Sequence, residues 1–178
     1  MKSKLFFESG IWLCFLLILL TVMSRLVPHP PNFNPVAALG LFAGVYIGLR
    51  RYWMIPLAAL LFSDFIIGFY HPIEMLFVYI GFAASAIIGR VFLLRKHNMV
   101  QLGASVLYSA IIFFILSNFG VWLTGLHYPM TVAGLIQCYV MALPFFGNTL
   151  FGDLFYVVIL FGAYEGIHGW ILHQHRTV

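Results

Sequence analysis

Six apolar runs follow one another with only a few residues between them, and this succession decides what the chain can become. A helix crosses the hydrocarbon core of a bilayer with about 20 apolar residues, within a range of about 17–25. Runs at about Phe6–Val27, Pro35–Leu49, Trp53–Tyr70, Met75–Leu94 and Leu102–Leu123 meet or approach that length, the second being short but wholly apolar. The last run, Val132–Tyr164, is too long for one perpendicular crossing, and Pro144, Gly147 and Asn148 interrupt it. The pattern predicts a half-helix or interfacial segment over Thr131–Leu143 and a sixth spanning helix over Asn148–Tyr164. Two full spans in that region are the rival topology. The expected fold is all-α, a polytopic bundle of six transmembrane helices forming one integral membrane domain, residues 1–178.

Charge supports this. Only 8% of residues are charged and 63% are hydrophobic, too little charge to solvate the surface of a soluble domain. Lys2 and Lys4 precede the first apolar run as in a signal peptide, but no small-residue cleavage pattern follows, so the run reads as a retained helix. With the N-terminus inside, the inner segments carry Lys2, Lys4, Arg50, Arg51, Arg90, Arg95, Lys96 and Arg176, and the outer side keeps only Arg25. Positive charge stays on the cytoplasmic side, which predicts a multi-pass protein with both termini cytoplasmic. The net charge of +4 is topology information and not a nucleic-acid footprint. Cys14 and Cys138 lie far apart in apolar runs and suggest neither a zinc site nor a disulfide framework.

Prolines at 28, 30, 31 and 35 forbid a continuous helix between the first two runs. Gly40, Gly44 and Gly48 then recur every four residues, a narrow row that lets another helix approach backbone to backbone. Gly81, Ser85 and Gly89 repeat that spacing in the fourth run, and the two rows are expected to pack on each other.

Ionisable groups inside a bilayer are costly and therefore informative. Arg25, Asp64, Asn118 and Asp153 come from four different helices and are expected at one height, near the side that lacks basic loops. This layer reads as the floor of a solute pocket, or as a structural network in which Arg25 pairs with an aspartate. Asp64, Gly68 and His71 share a helical face, as do Phe114, Asn118 and Trp122. An aromatic stripe with one amide suits a ring-bearing ligand. Asn32 in the first outer crossing and Asn148 at the start of the sixth helix complete the candidate set; Asn34 reads as a helix cap.

Several chemistries lack their motifs. No phosphate-binding Gly-x-x-x-x-Gly-Lys-Ser/Thr loop, serine elbow or His-Glu-x-x-His step occurs. Glu165 and His168 make one Glu-x-x-His step without partner ligands, so no metal and no cofactor is expected. The first reading is not an enzyme.

The phrases MSRLVPHPPNFNPVAALGLFAG, FSDFIIGFYH, FILSNFGVWLTGLHYPMTVAGL and LPFFGNTLFGDLFY resemble an uncharacterised bacterial inner-membrane family. That family is in turn distantly similar to the substrate-binding S-components of energy-coupling factor (ECF) vitamin transporters. The resemblance implies a six-helix fold with a ligand pocket near the extracellular side, in the bacterial inner membrane. It also implies capture of a vitamin-like solute and a partner module of transmembrane and ATPase subunits. S-components usually dock through small residues on the first helix, whereas the clear row here is on the second. The function expected is solute binding for transport. The alternatives are a membrane-embedded enzyme using Asp64 and Asp153, or a non-catalytic assembly protein packing through its glycine rows.

Overall fold

The computed structural model describes residues 2–95 and 98–174, with side chains from 12 onward except 171 and 172. Lys96, His175 and Arg176 lie outside the described residues, and the side chains of Lys2 and Lys4 are not described. Every regular element is helical: α1 (Lys2–Leu26), α2 (Val36–Tyr46), α3 (Met54–Ile67), α4 (Pro72–Ile88), α5 (Met99–Leu123) and α6 (Val132–Gln174). No strand occurs among the described residues. Three helices are long and apolar enough to cross a membrane: α4 with its extension to Leu93, α5, and α6 as far as Trp170.

Local chemistry sets the starts. Asn34 Oδ1 accepts from the Val36 N–H at 3.1 Å, and Pro35 supplies a fixed φ where no N–H is needed. His71 Nδ1 accepts from the Ile73 N–H at 3.3 Å, with Pro72 opening α4. Asn98 and Gln101 form a reciprocal capping box at the start of α5.

The short α2 is the centre of the bundle. Each residue from Val36 to Gly44 is buried, and α1, α3, α4, α5 and α6 all touch this helix. A helix apolar on every side belongs inside a fold, which is what its sequence requires. Its tightest neighbour is α4. A β-carbon at Gly40 would strike Ser85 Oγ; one at Gly44 would strike the Ala86 carbonyl and stand 2.6 Å from the Arg90 nitrogen. One at Gly89 would strike the Leu41 carbonyl. From Gly89, at the far end of this contact, α4 passes into a π-helical turn, Gly89–Leu93.

Four expectations need correction. Gly48 does not join the row: α2 ends at Tyr46, Ile47 is extended, and nothing lies within 4 Å of a β-carbon placed at Gly48. Gly81 faces Phe113 of α5, not α2: with Gly40 set against Ser85, the residue one turn earlier on α2 is Val36, where that helix begins. The break expected between Leu143 and Asn148 is absent, since α6 runs through Pro144 as one helix of 43 residues. Proline removes only the hydrogen bond to the Val140 carbonyl, and apolar sequence on both sides carries the helix across the gap. At ~1.5 Å per residue α6 is roughly 65 Å long, about twice a ~30 Å hydrocarbon core. Finally, α2 and α3, with 11 and 14 residues, fall short of the about 17 residues that a perpendicular crossing needs.

Candidate solute site

The ends of the helices differ in chemistry. At one end Arg90 bonds the Gly44 carbonyl at 3.4 Å and lies 5.2 Å from the Tyr52 ring centroid. Tyr46 donates to Glu165 Oε1 at 2.6 Å near that end. Arg50, Arg51 and Arg95 lie in or beside the adjoining connections. The opposite end gathers the crossings at 27–35, 68–71 and 124–131, where the basic side chain is Arg25.

Arg25 reaches across from α1 to α3. Its Nη1 lies 2.8 Å from Asp64 Oδ1, donates to Ser63 Oγ, and approaches the Leu60 carbonyl at 3.4 Å. Asp64 Oδ2 accepts from the Tyr79 hydroxyl of α4 at 2.9 Å. The side chains are 17% and 2% exposed, so the pair is largely shut away from solvent. Both oxygens of Asp64 are engaged, which makes this cluster a tie between α1, α3 and α4. The sequence pointed to Arg25 and Asp64; it gave no sign of Ser63 or Tyr79, whose hydroxyls have no distinguishing spacing.

Beside this tie lies a cavity of about 200 Å³. Asn32 stands at its margin in a left-handed conformation, φ 63°, which asparagine tolerates better than most residues. Phe33 anchors that crossing by packing on Gly152, Phe155 and Tyr156 of α6. Tyr70 and Glu74 line the cavity from the second crossing and the first turn of α4. Phe113, Phe114, Ser117 and Asn118 line it from α5, and Phe145 and Thr149 from α6. Burial and the Asp64 carboxylate push the Tyr70 phenol up to about 12 despite Arg25, with Glu74 adding to the rise, so it is a neutral hydroxyl at physiological pH.

Three of the polar groups here bond their own helix and leave oxygens facing outward. Ser117 Oγ donates to the Phe113 carbonyl at 2.7 Å, and Thr149 Oγ1 to the Phe145 carbonyl at 3.1 Å. Asn118 Nδ2 donates to the Phe114 carbonyl at 2.8 Å. Each spends a donor on its own helix and keeps oxygen lone pairs to offer. The Glu74 carboxylate has His127 Nε2 at 4.0 Å, too far for a hydrogen bond.

The remaining candidates fall elsewhere. His71 is occupied as the cap of α4. Trp122 donates its indole N–H to the Pro129 carbonyl at 3.1 Å and so fastens the third crossing, away from the cavity wall. Asn148 is half-buried beside Thr149 and outside the lining. Asp153 is buried one turn beyond Thr149, and its Oδ2 has no hydrogen-bond partner. Ser109 Oγ, one turn beyond Phe113 on α5, is likewise buried without a partner. No cluster of metal-ligating side chains occurs among the described residues. A larger hollow of about 390 Å³ between α1 and α3 is lined only by apolar residues such as Phe15, Leu19 and Phe65, as a lipid-facing groove would be.

Fold and cavity together define an all-helical protein, with three helices long and apolar enough to cross a membrane and a small polar-lined cavity at the arginine-poor end. The chain belongs to a family of unknown function, DUF6580, which it matches over residues 7–174. No curated protein and no solved structure matches it, and no likeness to S-components is shown by these comparisons.

Proposed function

We propose that this protein is a membrane-embedded solute-binding subunit for transport, of the ECF S-component type, taking a small organic solute from the extracytoplasmic side. The observation that carries the reading is the cavity, which draws Asn32, Tyr70, Glu74, Asn118 and Thr149 from different parts of the chain to the end away from Arg50, Arg51 and Arg90. Positive charge marks the cytoplasmic face, so the cavity opens outward. The connections alternate between the two ends, in keeping with six traverses of a bacterial inner membrane and both termini inside. In this scheme α2 and α3 are short traverses, and protein encloses α2 itself, buried from Val36 to Gly44.

Asn32, Phe114 and Asn118 contact the solute. Arg25 and Asp64 hold the adjoining wall by tying α1 to α3, and His71 and Trp122 fix the crossings around the mouth. Asn148 and Asp153 belong to a second tier behind Thr149 on α6. Handover to a partner ATPase module would use an outer helix surface, because Gly40 and Gly44 are consumed against α4.

The test is to purify the full chain in mild detergent and identify by mass spectrometry what small molecule comes with it. A solute retained by the wild type and lost from Asn118→Ala, with folding intact, supports the reading. Equal small-molecule content in wild type and variant would refute it.

A further inference from the structure

The charge and donor balance of the cavity narrows the class of solute. Glu74 is the one charged residue among the described residues of the lining, with its side chain 18% exposed. Arg25, the nearest guanidinium, is neutralised by Asp64 at 2.8 Å. An anion entering this space would meet the Glu74 carboxylate in a setting largely shut off from solvent, where repulsion is strong. The hydroxyls of Ser117 and Thr149 and one N–H of Asn118 already donate to backbone carbonyls, so the oxygens of these three groups are left to accept from a solute's donors. The walls around them are Phe113, Phe114, Phe145 and Val78, and aromatic faces attract cations. A cavity of about 200 Å³ lies below the ~300–1,000 Å³ of sites for drug-sized ligands, so the occupant is small.

We infer that the cavity takes a small organic ammonium, a protonated primary or secondary amine on an apolar or ring-bearing body, with Glu74 as its counter-charge. This rests on the solute-binding reading above. The N–H groups of the ammonium are shared between the Glu74 carboxylate and the oxygens of Asn118, Ser117 or Thr149, while the body lies against the phenylalanines. A primary or secondary ammonium satisfies this set better than a quaternary one, which has no N–H to give.

Three probes with one body and different heads test the assignment: phenethylammonium, 2-phenylethanol and 3-phenylpropanoate, titrated calorimetrically onto the full chain in nanodiscs. Empty nanodiscs and Asn118→Ala serve as controls for partition into lipid. The expected result is saturable binding of the ammonium about ten-fold tighter than the alcohol, with no binding of the carboxylate. Glu74→Gln brings ammonium and alcohol to within about three-fold of each other, whereas Asn118→Ala weakens both alike. Glu74→Asp keeps the charge and retains the preference, which protects the test should Glu74→Gln fold poorly. If the alcohol or the carboxylate binds as well as the ammonium, in an Asn118-dependent way, the cation assignment is wrong and the pocket stands. If none of the three binds in an Asn118-dependent way, the pocket reading falls with it.

Discussion

Replacing Asp64 by asparagine isolates the charge of the Arg25–Asp64 tie, because size and shape are preserved. In the wild type, Oδ1 faces Arg25 at 2.8 Å and Oδ2 accepts from Tyr79 at 2.9 Å. The variant offers one oxygen and one NH₂ group to those two neighbours. Tyr79 can turn its hydroxyl and accept from the NH₂, so the phenol side is nearly neutral. The cost falls on the guanidinium, left uncompensated in a site where it is 17% exposed. Breaking a buried pair from one side costs about 3–5 kcal/mol, and the residual exposure of Arg25 puts this case near the low end, about 3 kcal/mol. For a chain of this size that is a fall in Tm of roughly 6–12 °C. Removing both charges tests the cause, since swapping a whole buried pair for apolar residues is often close to neutral. The Arg25→Met, Asp64→Leu double variant is therefore expected to be more stable than Asp64→Asn alone. Thermal unfolding in detergent, followed by helical circular dichroism, reads all three. An Asp64→Asn variant within about 1 kcal/mol of wild type, or a double variant damaged as badly as the single, would refute the argument.

Three further outcomes follow from other contacts. Gly44→Ala forces a methyl onto the backbone of α4 and should cost about 1–3 kcal/mol, while Gly48→Ala, with open space around it, should stay within about 0.5 kcal/mol in the same unfolding assay. Asp153→Leu removes a buried carboxylate oxygen that lacks a partner, so stability should hold or rise by about 1–3 kcal/mol; a marked fall would mean that a water, ion or solute satisfies that oxygen in the folded protein. His127→Lys places a permanent cation beside Glu74, where His127 Nε2 now stands at 4.0 Å, and should weaken phenethylammonium binding several-fold by calorimetry without lowering the Tm.

What the sequence revealed, and what it hid, follows from how each feature is encoded. Run length and charge placement are read directly, which is why α1, α3, α4 and α5 lie close to their expected ranges. The Arg25–Asp64 contact was legible because a cation and an acid placed at similar depth in apolar helices have strong reason to meet. Asn32, Phe114 and Asn118 were legible as polar or aromatic interruptions near one end. The Phe114–Asn118–Trp122 step misled at its outer member, since the turn that follows α5 supplies the Pro129 carbonyl and draws the indole to it. Ser117 and Thr149 left no trace, because a hydroxyl that bonds its own helix looks like any other helical serine or threonine.

The largest omission has one cause. Breaking the chain at Pro144 separates Ala142 from Phe145 and Thr149, so their shared spacing never registers as a face. In the folded protein α6 passes through the proline, and these three residues, three and four apart, line the cavity together. The continuity of α6 thus does more than lengthen a helix: it supplies the wall opposite Phe113 and Asn118. A chain that broke at Pro144 would keep the tie between α1 and α3 but would leave the space beside it open on one side.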